Sequence, residues 1–200
     1  VPLSVWLMEA RHKVAIFEAG ISRNGEMKAL QKVIRPTIGV FTNLGSAHSE
    51  GFYSMEEKLQ EKWALFSTAE VIVYKRGNPI VDDFVADNCL TQPLFSWGID
   101  DISNMQVRHL RKHGSGTRCT ILFSGVEFIL EIPFMDDASI DNALSCCATL
   151  LYMGVDIPVI TKRIAGLHSV AMRLELKEGI NHCSVINDSY SADLSSLVIA

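Results

Sequence analysis

The first half of the sequence alternates short apolar runs with segments of helical spacing. The apolar runs are VAIFE (14–18), IGVFT (38–42) and VIVYK (71–75), and the helical segments are GEMKALQKVI (25–34) and MEEKLQEKWALFSTA (55–69). Apolar strands separated by helices are typical of a parallel sheet that is covered by helices on both faces. The sequence therefore predicts an α/β fold with a mostly parallel sheet flanked by helices.

The spacing of apolar residues changes in the second half of the chain. The stretches MQVRHLRK (105–112), TRCTILFS (117–124) and VEFILEI (126–132) alternate apolar and polar side chains, and glycine-containing turns join them. This pattern predicts a small antiparallel meander. Two further helices are expected, one over 140–153 and one from about Ile157.

The last part of the chain predicts a domain boundary. Residues 166–171 are the best candidate for a linker, so that residues 1–167 form a central domain and residues 168–200 begin a second domain with renewed strand character. The sequence begins in an apolar segment without a helix cap and stops in the apolar run SSLVIA. We therefore expect it to be a fragment of a longer protein.

Composition and charge argue against several classes of partner. The formal net charge is −5 and the Lys and Arg residues are scattered, so the chain offers no basic surface to nucleic acid. No apolar run approaches the roughly 20 residues that span a bilayer, and no signal-peptide pattern opens the chain. The five cysteines lack CxxC spacing and nearby histidines, which favours a reducing compartment. We expect a cytoplasmic protein with no nucleic acid partner and no membrane span.

Polar side chains follow the first two predicted strands. Glu18 ends the first apolar run, and Asn43 and His48 follow the second. Ligands of open parallel sheets lie beyond the carboxyl ends of the strands, and a carboxylate together with an imidazole suits a divalent metal ion. The alternatives are that Glu18 is a helix-capping or solvated carboxylate and that His48 is a hydrogen-bonded loop histidine.

Lys62 lies at the border of the apolar stripe of the second helical segment. Its neighbours at helical spacing include Lys58, Leu59 and Phe66, so it combines an apolar surrounding with a like charge. Both features lower the pKa of a lysine, and a neutral lysine amine can add carbon dioxide to form a carbamate, which is an anionic oxygen ligand. The alternative is a surface lysine whose stem covers apolar residues while its amine reaches solvent.

Six blocks of the sequence carry a family resemblance. The chain resembles the Mur ligases in the order and spacing of these blocks, which are FEAGISRNGEM, TNLGSAHSEGF, EKWALF, DNALSCCATLLYMG, MRLELKEG and INDSYSADLSSL. It looks most like the members that add D-alanyl-D-alanine to UDP-N-acetylmuramoyl-tripeptide, and NDSYSADLSSL is similar to the form of this ligase that is fused to an alanine racemase. The resemblance implies a P-loop-type central domain followed by the start of a Rossmann-like C-terminal domain.

The resemblance implies roles for individual residues. Glu18 would hold a magnesium ion that bridges the phosphates of ATP, His48 would bind a second magnesium ion, and Lys62 would be carbamylated and assist that second ion. The residues implied to contact the nucleotide or to order its site are Asn142 at the adenine edge, Arg173 and Asp188 near the ribose, Tyr190 on the nucleotide side, and Asn43 in the loop that presents His48.

Three of these residues also have structural alternatives. Asn142 would serve as a helix cap, Arg173 as a surface partner of Glu175, and Asp188 as a turn residue. The sequence also departs from the family pattern, because SADL stands where the family has Asn-Ala-Asn-Pro and Ala-Ser stands where it has His-Asn before the Asn142 helix. These departures leave the implied metal ligands intact.

The resemblance further implies an ATP-dependent amide-bond-forming ligase that acts through an acyl phosphate. The Gly-rich phosphate loop and the domain that holds the UDP sugar are not part of this sequence. The 200-residue chain alone is therefore expected to bind Mg-ATP weakly and to ligate nothing.

Two alternatives stay open at this point. Folylpolyglutamate synthase belongs to the same superfamily and uses the same metal arrangement with another acceptor, although the GEM and NDSY blocks argue against it. The second alternative is a non-catalytic nucleotide-binding scaffold. The presence of a phosphate loop upstream of this sequence would distinguish a ligase from a scaffold, and a substrate panel would distinguish the two ligases.

Overall fold

A six-stranded sheet forms the centre of the structure, a computed structural model that describes residues 1–45, 51–88, 90–170, 175–187 and 189. Its strands lie side by side in chain order, and they are β1 (Ile38–Phe41), β2 (Val71–Lys75), β3 (Leu94–Gly98), β4 (Met105–His113), β5 (Gly116–Phe123) and β6 (Val126–Ile132). The helices described are α1 (Pro2–Trp6), α2 (Glu26–Ile34), α3 (Met55–Ala64), α4 (Pro79–Asp87), α5 (Asp137–Tyr152) and α6 (Ile157–Ala165).

The sheet changes from parallel to antiparallel at β4. The pairs β1–β2, β2–β3 and β3–β4 are parallel, whereas β4–β5 and β5–β6 are antiparallel hairpins. Gly114 and Gly125 lie in the hairpin turns with φ of 57° and 79°, a left-handed conformation that glycine adopts without steric cost. The predicted mostly parallel sheet and its antiparallel meander are both confirmed, and the meander continues the same sheet.

Apolar side chains cover both faces of the sheet. β2 shows the arrangement, because Val73 belongs to one buried cluster and its neighbours Ile72 and Tyr74 belong to the other. Successive side chains of a strand point to opposite faces, so the two clusters lie on opposite sides. The first cluster includes residues of α5 and α6, and the second includes residues of α2, α3 and α4. Helices therefore flank both faces, as the apolar runs predicted.

Helix α3 is shorter than the sequence predicted. It begins after Ser54, whose hydroxyl accepts a hydrogen bond of 3.2 Å from the backbone N–H of Glu57, and it ends at Ala64. The chain then turns and buries Phe66 against β1. A Cβ at Gly39 would lie only 2.5 Å from Cδ1 of Phe66, so the absence of a side chain at Gly39 allows the aromatic ring to lie on the strand.

The first predicted strand does not form. Residues 14–18 adopt no regular structure, and Val14 and Ile16 expose 66% and 92% of their surface. An extended segment becomes a stable strand only when a neighbouring strand satisfies its backbone hydrogen bonds. Within the described residues β1 pairs with β2 alone, so 14–18 has no strand beside it. The prediction that Glu18 ends a strand is therefore wrong.

Two regular elements, α4 and β3, were not predicted from the sequence. Asn78 caps α4 by accepting hydrogen bonds from the backbone N–H groups of Ile80 and Val81, and Pro79 occupies the first position of the helix. Asn78 followed by Pro79 is the sequence feature from which the start of α4 could have been predicted. β3 was harder to predict, because LFSWG is short and interrupts its apolar residues with serine and glycine.

A separate two-stranded sheet follows the last described helix. β7 (Glu175–Glu178) and β8 (Ser184–Asn187) are antiparallel, and a 3₁₀ turn at Ile180–His182 lies between them. This agrees with the predicted return to strand character. The domain boundary between 1–167 and 168–200 stays a prediction. None of the helices described is both long enough and apolar enough to cross a membrane.

Two buried cysteines provide a test of the core. Burial raises the pKa of Cys119 to about 11 and the pKa of Cys147 to about 12. Because the thiolate is the reactive form, both should resist iodoacetamide at mildly alkaline pH while the exposed Cys183 is alkylated, as read by peptide mass spectrometry. All three should react alike in denaturant. Equal labelling of Cys147 and Cys183 in the folded chain would contradict the packing of α5.

Candidate functional site

Lys62 connects α3 to the loop that follows β1. Its Nζ donates a hydrogen bond of 2.9 Å to the backbone carbonyl of Asn43 and lies 5.7 Å from the ring centroid of Phe41. Burial lowers the pKa of Lys62, and the nearby Lys58 charge lowers it further. The two causes predicted from helical spacing are therefore confirmed. A lowered pKa increases the fraction of neutral amine, which is the form that reacts with carbon dioxide.

Lys58 holds the same loop one helical turn earlier. It is 1% exposed, and its Nζ donates a hydrogen bond of 2.7 Å to the backbone carbonyl of Gly45. Burial lowers the pKa of this lysine as well. From the sequence, Lys58 was predicted only as a like charge beside Lys62. Its position four residues before Lys62, on the same face of α3, was the signal that it would contact the same loop.

Hydrogen bonds bring three segments together around the start of α3. The carboxylate of Glu57 accepts a bond of 2.6 Å from the side-chain amide of Asn24 and one of 2.7 Å from the backbone N–H of Tyr53. A Cβ on Gly51 would lie 2.5 Å from the carbonyl oxygen of Ser22. Only glycine, which has no Cβ, allows the two backbone segments to approach this closely. The segment that follows Glu18 and the end of the loop that contains His48 therefore meet at α3.

Apolar residues on either side of the predicted site residues pack in one cluster. Ala19 and Ile21 follow Glu18, Leu44 and Phe52 flank the loop 46–50, and all four join the cluster formed with α3. Glu18 itself is exposed. The fold thus gathers the backbone segments that carry Glu18 and Lys62 and the ends of the loop that carries His48.

The structure describes some of the predicted site residues and not others. Asn43 and Asn142 are exposed, and Asn142 lies inside α5, whose cap is Asp136, so the alternative of a capping asparagine is wrong. The predicted residues that lie outside the described residues are His48, Arg173, Asp188 and Tyr190. The predicted convergence of Glu18 and His48 on one cleft stays a prediction.

The chemistry of the described side chains bears on the predicted metal. Within residues 1–45, 51–88, 90–170, 175–187 and 189, no three His, Cys, Asp or Glu side chains form a group that could hold a metal ion. Magnesium prefers oxygen ligands, so the exposed Glu18 carboxylate fits it directly. Lys62 fits only after carbamylation, and its lowered pKa favours that reaction.

Solved structures of similar fold show the same architecture. MurF from Acinetobacter baumannii superposes with a TM-score of 0.83 at 17% identity, over 96% of this chain and 42% of that chain. A MurF ligase from Thermotoga maritima in complex with ADP has a TM-score of 0.72 at 18% identity, over 89% of this chain and 41% of that chain. A mutant of L. casei FPGS has a TM-score of 0.70 at 16% identity, over 92% and 45% of the two chains. At such identities the likeness establishes the fold.

Sequence relatives extend the likeness to the whole chain. A UDP-N-acetylmuramoyl-tripeptide–D-alanyl-D-alanine ligase of Bacillus subtilis is 28% identical over 203 residues, which cover 100% of this chain and 43% of the relative. The corresponding ligase of Treponema pallidum is 36% identical over 67 residues, which cover 34% of this chain and 15% of the relative. The chain therefore spans less than half the length of these curated relatives.

A family model matches most of the chain as well. The model of the Mur ligase middle domain matches residues 1–150, which include Glu18, Lys62 and Asn142. This is three quarters of the 200 residues. The chain therefore belongs to the Mur ligase family.

Proposed function

We propose that the full-length protein is an ATP-dependent ligase that joins D-alanyl-D-alanine to UDP-N-acetylmuramoyl-tripeptide during peptidoglycan precursor synthesis. The match to the Bacillus subtilis ligase carries this proposal, because it continues past residue 150 and covers the whole chain. Residues 1–167 would form the central ATP-binding domain, and residues 168–200 would begin the C-terminal domain. Because both substrates and ATP are cytoplasmic metabolites, the reaction would take place in the cytoplasm.

Three residues would hold magnesium in this ligase. Glu18 would supply a carboxylate oxygen, His48 an imidazole nitrogen and Lys62 a carbamate oxygen. Bound magnesium would neutralise the phosphate charges of ATP and stabilise the transferred phosphoryl group. The segment after Glu18, the residues on either side of 46–50 and α3 pack in one cluster, which supports this assignment.

Carbamylation of Lys62 would follow from its surroundings. The neutral amine attacks the carbon of carbon dioxide, a nitrogen–carbon bond forms, one carbon–oxygen π pair moves to oxygen, and the nitrogen releases one proton to water. The carbamate nitrogen keeps one N–H, which would continue to donate to the carbonyl of Asn43. The product carries a negative charge and would be stabilised by the divalent cation beside it.

Asn142 and three residues beyond the described part would hold the nucleotide. The amide of Asn142 offers one acceptor and two donors, which match the amino group and ring nitrogen at the edge of adenine. Arg173, Asp188 and Tyr190 would approach the ribose side when the C-terminal domain closes. Asn43 would order the loop that carries His48, and its hydrogen bond from Lys62 supports this role.

The reaction would consist of two substitutions. The terminal carboxylate of the tripeptide attacks the γ-phosphorus of ATP, and the bond to ADP breaks to give an acyl phosphate. The amine of D-alanyl-D-alanine, after losing its proton to water, attacks the acyl carbon. The tetrahedral intermediate then expels inorganic phosphate, which takes the second proton of the nitrogen, and an amide bond remains. The residues named above bind and orient the two reacting ends for these steps.

A substrate panel tests the proposed function. With the full-length protein, we expect ADP release over many turnovers only when UDP-N-acetylmuramoyl-tripeptide and D-alanyl-D-alanine are both present, with the amide product seen by mass spectrometry. Release with a folate and glutamate instead would assign the protein to the folylpolyglutamate synthases. A folded protein that binds ATP but releases no ADP with any pair would be a scaffold.

A further inference from the structure

A partly buried ion pair joins the end of β2 to the first turns of α5. Nζ of Lys75 donates to both carboxylate oxygens of Asp141 at 2.8 and 2.7 Å. The side chains of Lys75 and Asp141 are 38% and 35% exposed. Charge pairs that are partly removed from water are screened less than surface pairs, so this contact fixes geometry more firmly than an exposed ion pair would.

The indole of Trp97 gives the lysine a second fixed contact. Lys75 and Trp97 are register partners on the neighbouring strands β2 and β3, and Nζ lies 5.4 Å from the centroid of the tryptophan ring. Trp97 is 1% exposed, so the ring itself is held by the core. A cation over an indole face is attracted by the ring quadrupole. The contact with Trp97 therefore positions the ammonium group on the sheet independently of its contact with Asp141.

The other polar contacts at the start of α5 are local or exposed. Asp136 caps the helix by accepting a 2.7 Å hydrogen bond from the backbone N–H of Ser139. Lys112 and Asp137 form an ion pair of 2.7 Å in which the aspartate is 89% exposed, and such pairs contribute little. Among the polar contacts described at the start of α5, the Lys75 ion pair is the one that reaches β2, beside the apolar residues of α5 that pack in the first buried cluster.

Asp141 immediately precedes Asn142, the residue assigned above to the adenine edge. Consecutive helical residues are related by about 100° of rotation, so a turn of the helix about its axis at Asp141 changes the direction of Asn142 equally. We propose that Lys75 and Asp141 are positioning residues that fix the direction of the Asn142 amide toward the nucleotide base. This inference rests on the proposed function. Neither residue touches the nucleotide in this scheme.

Three variants of the full-length ligase test the pair. Lys75→Met keeps a long apolar stem against Trp97 without the charge, Asp141→Asn keeps the shape of the carboxylate, and the double variant leaves no unpaired charge. We expect each to raise the KM for ATP about 5- to 10-fold, and the double variant to resemble the singles because both remove one interaction. The kcat at saturating ATP and the KM for D-alanyl-D-alanine should change less than about twofold.

Base selectivity provides a readout that a purely structural role would not move. Guanine presents a carbonyl where adenine presents its amino group, so a misdirected Asn142 amide discriminates less between them. The preference for ATP over GTP, measured as the ratio of kcat/KM values, should therefore fall in all three variants. The separate variant Lys75→Arg should keep the preference for ATP, because arginine can also donate to both carboxylate oxygens of Asp141.

Lys112→Met is the matched control, because it removes a lysine–aspartate pair from the same helix start at an exposed position. It should leave the KM for ATP and the base preference unchanged. If Lys75→Met proves unfolded by circular dichroism, the uncharged double variant decides the question. An unchanged KM and base preference in that variant, with an active unmodified protein, would overturn the positioning role and leave the ligase function standing. An unmodified protein that neither binds ATP nor ligates would instead refute the proposed function.

Discussion

Lys62→Ala in the full-length protein should lower the ligation rate by about 10²- to 10³-fold, the usual loss when one group that stabilises transition-state charge is removed. The alanine cannot form a carbamate, and it also breaks the hydrogen bond to the Asn43 carbonyl. A small carboxylic acid in solution should restore part of the activity, because it can place an oxygen anion where the carbamate would lie. The rate of ADP release measures both effects.

The lowered pKa of Lys62 gives this prediction a pH dependence. Below the lowered pKa the amine is protonated and cannot react, so the carbamate should be lost as pH falls through that value. Above it the amine is neutral and carbamylation should level off, at a lower pH than for an ordinary lysine. Carbon-13-labelled bicarbonate should give a carbamate signal in the NMR spectrum of the unmodified protein and none in Lys62→Ala.

Lys32→Ala is the control, because Lys32 is exposed on α2. It should retain the carbamate signal and the activity of the unmodified protein. Full activity in Lys62→Ala would contradict the assignment of Lys62 to the metal site. A loss of activity that no carboxylic acid rescues, together with no carbamate signal in the unmodified protein, would contradict carbamylation.

Trp63→Ala should destabilise the chain by about 3–5 kcal/mol, the range for removing a large buried aromatic side chain. Trp63 is 6% exposed, and its ring lies 5.4 Å from Phe41, 6.3 Å from Tyr74 and 5.2 Å from Phe84 between ring centroids. One side chain thus connects α3, β1, β2 and α4. Urea unfolding followed by circular dichroism measures the change in the free energy of unfolding.

Trp6→Ala provides a matched substitution at an exposed position. Trp6 is 87% exposed, so the same chemical change in the same 200-residue chain should alter the free energy of unfolding by less than about 0.5 kcal/mol. Equal effects of the two substitutions would show that the cluster around Trp63 does not hold the sheet and α3 together.

Local sequence patterns correctly predicted the strands that show a continuous apolar run or an alternation of apolar and polar residues. β2 is a run of apolar residues that is buried on both faces. β5, β6 and the first three residues of β4 alternate because one side of each strand faces the core more than the other. Such periodicity depends on which face is buried. It therefore identifies an element, but it does not identify the element's partner in the sheet.

The segment 14–18 illustrates where this reasoning fails. VAIFE has the composition of a buried strand, yet strand formation depends on hydrogen bonds to a neighbour that a local pattern cannot specify. The same limit applies to α3, which was predicted to continue to Ala69. The helix ends at Ala64, and Phe66 packs against Gly39 of β1, a contact between residues far apart in sequence.

Residue types and their spacing along the chain were enough to predict the family, the α/β class and the two causes of the lowered pKa of Lys62. The groups that those residues contact depend on the tertiary structure. Lys58 and Lys62 contact carbonyls of the β1 loop, and Lys75 contacts Asp141 of α5, 66 residues later in the chain. Contacts of this kind form only when the sheet brings its strand ends and helices together, so no local pattern encodes them.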